Sequence, residues 1–324
     1  MLAEPGVMGA GASGDEWAGW LLNRRHGGDA AQAARVRAAV GGYVERVLDA
    51  VLADGAMLAP GMTMADIGSG EGVVAWRAIE RAGPGLRVVL TDISAPLLRH
   101  ARARAEALGV AAQCRFVECG AERLEGLESA SLDSVTSRSA LAYVADKPAA
   151  LAEIFRVLKP GGRVSLAEPV FRDEAQAACA MRVLLERGGA ADALLPLLHK
   201  WKAAQFPDTE AAMAASPLAG YGERDLLRLA QKAGFAALHM ELHVDVRPNE
   251  TTDWAVFCAA APHPWAPGLG EIMAARFSPE ERRTLEAALR PEVEAGRLTT
   301  ASRMVFLSAK KPEGQTPGSR GALS

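Results

Sequence analysis

Short β-rich runs alternating with longer amphipathic segments predict an α/β fold, with parallel strands joined by crossover helices on both faces of one sheet. Three observations carry that prediction. The alternation runs from residue 62 to 169, a glycine-rich turn at 68–72 follows the first β-rich run, and Lys159-Pro160-Gly161-Gly162 stops a helical segment and feeds another β-rich run.

Residues 16–60 read as a helical N-terminal cap, because Trp17, Trp20 and Leu21 recur at helical spacing, Gly27-Gly28 breaks it, and Tyr43, Val47, Leu48 and Val51 resume it. The main domain spans 61–312. Its strands are MTMADIG (62–68), RVVLTDI (87–93), QCRFVEC (113–119), LDSVTSR (132–138) and RVSLAEP (163–169), with helical periodicity over 72–82, 95–108 and 146–158. The alternation then stops. Residues 173–222 form a helical insertion, whose Ala- and Leu-rich part, 173–215, is interrupted by Pro196 and Pro207. A helix at 223–235 and a strand at 238–246 follow, then a second insertion at 248–302 with a helix started by Ser278-Pro279-Glu280, and a closing strand at 303–310. The ends, 1–15 and 313–324, offer little to pack and are expected to be mobile.

The chain has 324 residues, 49% of them hydrophobic, enough for one large core with added elements. A formal charge of −3 and a pI near 6.1 supply no broad positive field for a phosphate backbone, so no nucleic-acid partner is expected. No apolar run approaches the roughly 20 residues that span a bilayer, so no membrane partner is expected either. Cys114, Cys119, Cys179 and Cys258 fall at unrelated spacings, which fits reduced thiols and a cytoplasmic setting.

Asp66-Ile67-Gly68-Ser69-Gly70-Glu71-Gly72 leaves a strand and opens a helix, where glycines let the backbone approach a ligand closely. Such a turn suits an adenosine-bearing cofactor, or serves simply as a tight strand-to-helix turn. The dinucleotide fingerprint would put its third glycine at position 73, where Val73 stands. Asp92 ends the second strand, placed for ribose hydroxyls or for capping the helix after Ser94. Arg138 suits bidentate pairing with a carboxylate of cofactor or acceptor, or an ion pair with a neighbour. His239, Glu241, His243 and Asp245 share one strand face, an alternation any half-solvated strand shows, and no metal site is expected. Trp201, Phe206, Tyr221, Trp254, Trp265 and Phe277 either wall an acceptor pocket or core the insertions.

Taken in order, ADIGSGEG (65–72), Asp92, CGAERL (119–124), LDSVTSRSALAYV (132–144) and FRVLKPGGRVSLAEP (155–169) resemble the class I S-adenosylmethionine-dependent methyltransferase family. The resemblance covers 62–169. It implies a Rossmann-like seven-stranded sheet with a reversed last hairpin, and S-adenosylmethionine as cofactor. It also implies that Asp66, Gly68, Ser69, Gly70 and Gly72 wrap the methionine part and that Asp92 holds the ribose, with the adenine against Ile93, Gly120, Ala121 and Glu122. A typical member has Asp where Gly120 stands, so the adenine amino contact passes to Glu122 or to backbone. Arg138 and Ser139 sit where the fourth strand meets the cofactor, Arg138 replacing a common Asn or Asp.

The cofactor carries an activated methyl, so the protein mainly holds a nucleophile in line and excludes water. An oxygen or ammonium acceptor needs a base, for which Tyr143, His26 and Glu168 are candidates, with Arg138 completing the catalytic set; a thioether needs none. The expected acceptor is a small molecule. The stretch WLLNRRHGGD (20–29) resembles a segment of bacterial methionine S-methyltransferases, implying a thioether acceptor; a natural-product hydroxyl or amine is the alternative, and a non-catalytic cofactor-binding protein the rival of another class. Arg24, Arg25 and His26 point in different directions around a helix end, so at least one faces a ligand carboxylate, and Arg24 is assigned to the cofactor. Residues 173–215 are expected to form a lid. A homodimer is compatible with these expectations.

Overall fold

The computed structural model describes residues 15–52, 61–188 and 193–314. Expectations for residues 1–14, for 53–60 of the cap and for 315–324 lie outside the described residues.

The seven-stranded sheet is built from β1 (Thr63–Ile67), β2 (Arg87–Asp92), β3 (Cys114–Glu118), β4 (Leu132–Arg138), β5 (Leu158–Pro169), β6 (Ala236–Pro248) and β7 (Thr299–Lys310). The order is β3-β2-β1-β4-β5-β7-β6, with β1 to β5 parallel and β7 antiparallel to both neighbours. This is the expected Rossmann-like sheet with its reversed hairpin. From β1 the chain runs outward to β2 and β3 and then returns to β4 on the other side. That reversal leaves a crevice beyond the C-terminal ends of β1 and β4.

The helices are α1 (Glu16–Leu21), α2 (Ala30–Leu52), α3 (Val73–Ala82), α4 (Ala95–Ala107), α5 (Lys147–Val157), α6 (Arg172–Glu186), α7 (Leu195–Gln205), α8 (Glu210–Ala215), α9 (Glu223–Ala233), α10 (Trp254–Ala259), α11 (Leu269–Arg276) and α12 (Pro279–Glu294). Leu151, Ile154, Leu166, Leu226 and Leu307 belong to one core, on the face covered by α5 and α9. Val47, Leu48, Met64, Ile79 and Leu90 belong to the other, under α2 and α3. Burial on both faces explains why β1 and β2 read as near-continuous apolar runs. No helix among the described residues is long and apolar enough to cross a membrane.

Three boundaries differ from the sequence reading. β5 starts at Leu158, because Leu158 pairs with Leu132 before the register shifts, so the Lys-Pro-Gly-Gly run lies within the strand rather than ahead of it. β6 and β7 both run further, as Asp245–Pro248 pair with Thr299–Ser302. These extensions are mostly exposed and leave no hydrophobic signature to read.

The polar face of β6 is tied to α2. Glu241 binds His239 (3.0 Å), His243 (2.8 Å) and Arg46, while the Tyr43 hydroxyl donates to Asp245 (3.0 Å). Among the described residues no group of these side chains is arranged to hold a metal.

The cap locks onto the connection between β6 and β7. The Trp20 indole N–H donates to the Ala261 carbonyl (2.9 Å), and the Ala261 amide donates to the Arg24 carbonyl (2.9 Å). At Gly27, φ is +63° and a Cβ would stand 2.5 Å from the Val256 carbonyl oxygen, so this turn requires glycine. Trp20→Phe keeps the ring and deletes the hydrogen bond. It is expected to weaken cap docking by about 1 kcal/mol, read as roughly fivefold faster protease cleavage around Gly27-Gly28.

Candidate active site

β1 ends in a turn whose conformation only glycine adopts easily: φ is +64° at Gly68, +54° at Gly70 and +78° at Gly72. A Cβ at Gly68 would lie 2.3 Å from the Ala140 side chain, so the turn can pass under the β4 end only without one. Above it opens a cavity of about 280 Å³. Its lining includes the polar group Asp66, Ser69, Asp92 and Glu122 with Ile93 and Ala121, and a largely aromatic group, Trp17, Trp20, Tyr143, Phe171 and Pro262, with the Arg25 guanidinium. Gly72 and Gly120 stand outside this lining. Gly72 instead caps α3 against the Trp76 ring, and a Cβ at Gly120 would sit 3.2 Å from the Glu122 carboxylate.

Of these carboxylates, Asp92 is held by backbone and Asp66 by a side chain. Asp92 accepts from the Gly70 amide (2.9 Å) and from the Ser94 amide (2.9 Å), joining the glycine turn to the start of α4, which Ser94 caps. Burial pushes its pKa up against the lowering effect of these bonds. Two amides leave lone pairs for further donors. Asp66 accepts from Thr136 (3.0 Å), while its other oxygen has no partner among the described residues, and burial pushes its pKa up to about 7.

Glu168, fully buried on β5, accepts from Ser137 (3.3 Å), the Ala140 amide (3.4 Å) and the Ala142 amide (3.0 Å). It is absent from the cavity wall. The base candidate is thus turned to a structural task, because its lone pairs are engaged in shaping the loop after β4. Within that loop Ser139 takes φ +54°, and both Ser139 and Arg138 line the cavity. Burial lowers the Arg138 pKa, opposed by the fields of Asp66, Glu168 and Glu71.

Tyr143 stands at an aromatic corner, its ring edge-on to Trp17 (5.2 Å) and Trp265 (5.6 Å). Burial pushes its phenol well above the ordinary range, which makes it a poor base near neutral pH. Arg24, Arg25 and His26 fall in one 3-10 turn, where three residues complete a circle and point three ways. Arg24 bonds the carbonyls of Pro264 (2.7 Å) and Ala266 (3.2 Å), away from the cavity. His26 lies in a small adjoining recess, its Nδ1 buried without a partner, and does not line the main cavity. Arg25 alone of the three faces it. The insertion aromatics mostly form local cores: Trp201, Trp254 and Phe277 pack with Leu197 and Leu269, and Phe206 and Tyr221 with Leu218. Trp17, Trp20 and Phe171 form the wall instead. Periodicity gave no sign of this, since a core aromatic and a wall aromatic look alike in sequence.

The family described as a methyltransferase domain matches residues 58–234. Nocamycin O-methyltransferase of Saccharothrix syringae is 30% identical over 266 residues, covering 80% of this chain and 89% of that protein. The chain belongs to the methyltransferase family. It is a class I S-adenosylmethionine-dependent enzyme, and S-adenosylmethionine is its cofactor. A ubiquinone/menaquinone biosynthesis C-methyltransferase of Brucella anthropi is 40% identical over 104 residues, only 32% of this chain and 39% of that relative. Among solved structures, a candidate methyltransferase of Bacillus halodurans superposes with a TM-score of 0.51 at 20% identity, covering 84% of this chain and all of that one, which bears on the fold.

The residues present fit this cofactor. A cradle without Cβ atoms, a buried Ser69 hydroxyl with no partner, a carboxylate at the β2 end and an apolar Ile93 left 54% exposed supply surfaces for its sulfonium end, ribose and base. Asp92→Ala is expected to weaken S-adenosylhomocysteine binding by about 1.5–3 kcal/mol in calorimetry, the scale of a charged hydrogen bond. Asp66 should set a pH dependence. A carboxyl whose folded pKa is raised contributes stability at low pH and loses it as pH rises through about 7. Relative to Asp66→Asn, the ligand-free protein should therefore lose about 2 kcal/mol between about pH 5.5 and pH 8.5 in urea unfolding.

Proposed function

We propose that the enzyme transfers the methyl group to an oxygen of a ring-bearing small molecule held in the aromatic half of the cavity. The carrying observation is that corner: Trp17, Trp20, Tyr143 and Phe171 line the same cavity as Asp92 and the glycine turn. Similarity to an O-methyltransferase over most of both chains supports oxygen as the acceptor. The methionine thioether suggested by 20–29 has less support. The carboxylates that could receive its ammonium, Asp66, Glu71, Asp92 and Glu122, all belong to the glycine turn and the β2 and β3 ends.

S-adenosylmethionine supplies an electrophilic methyl; the chain's residues orient the acceptor and keep water out. Flat apolar faces favour a planar acceptor, and the T-shaped ring contacts hold those faces in place. None of residues 173–215, expected as the lid, lines the cavity; Phe171 just before them does, and Phe206 within them stacks on it at 5.9 Å, so in this reading the segment backs the acceptor wall. All walls come from one chain, so a homodimer is not required. The low net charge supports a small molecule over a nucleic acid. Four free cysteines support work in the cytoplasm.

A screen of aromatic hydroxy, carboxylic, amino and thioether compounds with labelled methyl donor, read by mass spectrometry, tests the proposal. Methylated oxygen is expected; products methylated only at nitrogen or sulfur would refute it. Phe171→Ala should raise the acceptor KM about tenfold while S-adenosylhomocysteine affinity stays within about twofold, since the ring contributes acceptor contact alone.

A further inference from the structure

One cation lining the cavity has no direct hydrogen-bonding or ion-pair partner among the described residues. The Arg25 guanidinium lines the cavity beside Tyr143, 5.5 Å from the centre of the Trp20 ring, and makes no hydrogen bond or ion pair with any described residue. Other inward-facing basic groups are satisfied. Lys147 donates to the carbonyls of Ala142, Val144 and Pro217, Lys311 to those of Phe155 and Leu158, and Arg24 to those of Pro264 and Ala266. Arg138 also lacks a direct partner, yet the fields of Asp66, Glu168 and Glu71 all favour its charge. Arg25 has Glu71 on its side and Arg138 against it. A half-buried guanidinium that lines a cavity without a direct partner is placed to receive an anionic ligand group.

None of the three candidate bases is placed to act. His26 is outside the wall, Glu168 is engaged by amides, and the Tyr143 phenol holds its proton. A neutral hydroxyl would have to reach a carboxylate at the glycine turn or the β2 and β3 ends, whereas an acceptor that arrives ionised needs no base.

We infer that the acceptor itself supplies the missing negative charge, as a carboxylate or acidic enolate on a ring-bearing molecule, and that Arg25 with the Tyr143 hydroxyl receives it. The inference rests on the O-methyl reading and narrows it. A carboxylate, and an enolate made acidic by conjugation to a second carbonyl, share their charge over two oxygens, so one stays on Arg25 while the other reacts. A lone pair of that second oxygen forms the O–CH₃ bond as the S–CH₃ bond breaks, and the bonding pair leaves with sulfur, which becomes a neutral thioether. No proton moves. Arg25 is thus a specificity-determining residue that selects the ionised acceptor.

Calorimetry on the S-adenosylhomocysteine-bound enzyme with 2-naphthoate and 2-naphthamide, which differ in charge and little in shape, provides the test. The carboxylate should bind at least about tenfold more tightly than the amide, the scale of one charge-assisted pair. Arg25→Gln should abolish that preference and Arg25→Lys restore part of it, with S-adenosylhomocysteine affinity within about twofold of wild type in both. Equal affinity for the two probes, or binding of neither, overturns the inference. So does an Arg25→Gln enzyme that keeps the preference and loses S-adenosylhomocysteine affinity, which would assign Arg25 to the cofactor's own carboxylate. Transfer assays separate the two levels: an ether from 2-naphthol without an ester from 2-naphthoate sinks the anionic acceptor and keeps O-methylation, whereas methyl found only on nitrogen or sulfur sinks O-methylation as well.

Discussion

A carboxylate with no exposure to solvent, Glu168 on β5, organises the site by collecting three donors from the end of β4 and the loop beyond it. Amides that point inward at a strand end need an acceptor, and the parallel ladder cannot supply one past its last pair. Glu168 fills that need. In doing so it fixes Ser139 in a left-handed conformation, brings Ala140 over Gly68, and aims the Leu141–Tyr143 turn so that Tyr143 closes the cavity. The glycine turn and the loop after β4 are therefore two faces of one constraint, since Gly68 is bare because Ala140 is where Glu168 puts it.

The acceptor wall depends on a second constraint, that segments remote in sequence must arrive together. Trp17 comes from the cap, Tyr143 from the loop after β4 and Trp265 from the β6–β7 connection, and each ring meets the other two edge-on at 5.2 to 5.8 Å. No one of the three segments can hold its ring alone, because α1 has only six residues and 261–266 has no regular structure. Backbone bonds between Arg24 and Ala261 and the bond from Trp20 hold cap and connection together. The cap is thereby part of the active site rather than an ornament on it.

What could be read from sequence follows from this division. The sheet and the cofactor half are local: a buried strand, a glycine turn and a carboxylate at the next strand end fall within about 30 residues, and each leaves its own pattern. The extended ends of β6 and β7 were missed because exposed hairpin arms have no apolar period. The acceptor half is non-local. The sequence reading offers Trp201, Trp254 and Phe277 as wall or core and passes over Trp17 and Phe171, and only the packing of α7, α10 and α11 around one another turns the first group inward. Arg24 and Arg25 differ by a third of a 3-10 turn, a phase that helix-period reading cannot supply. One faces carbonyls of the connection and the other the cavity.

The charges of the site form one system. Asp66, Asp92 and Glu168 are buried on the sheet side, where burial raises every one of their pKa values, and Arg138 sits among them. That side suits a cofactor with a positive sulfonium and ammonium, because buried carboxylates gain what desolvation took from them when a cation arrives. Arg25, carried by the cap, lines the same cavity, and a bound sulfonium would add a second positive charge to its surroundings. A neutral acceptor does nothing about that repulsion, whereas an anion between the two cations is attracted to both. The lining of the cavity, with carboxylates buried in the sheet and the Arg25 guanidinium brought by the cap without a direct partner, therefore favours order in its contents: a cation against the sheet and an anion at Arg25.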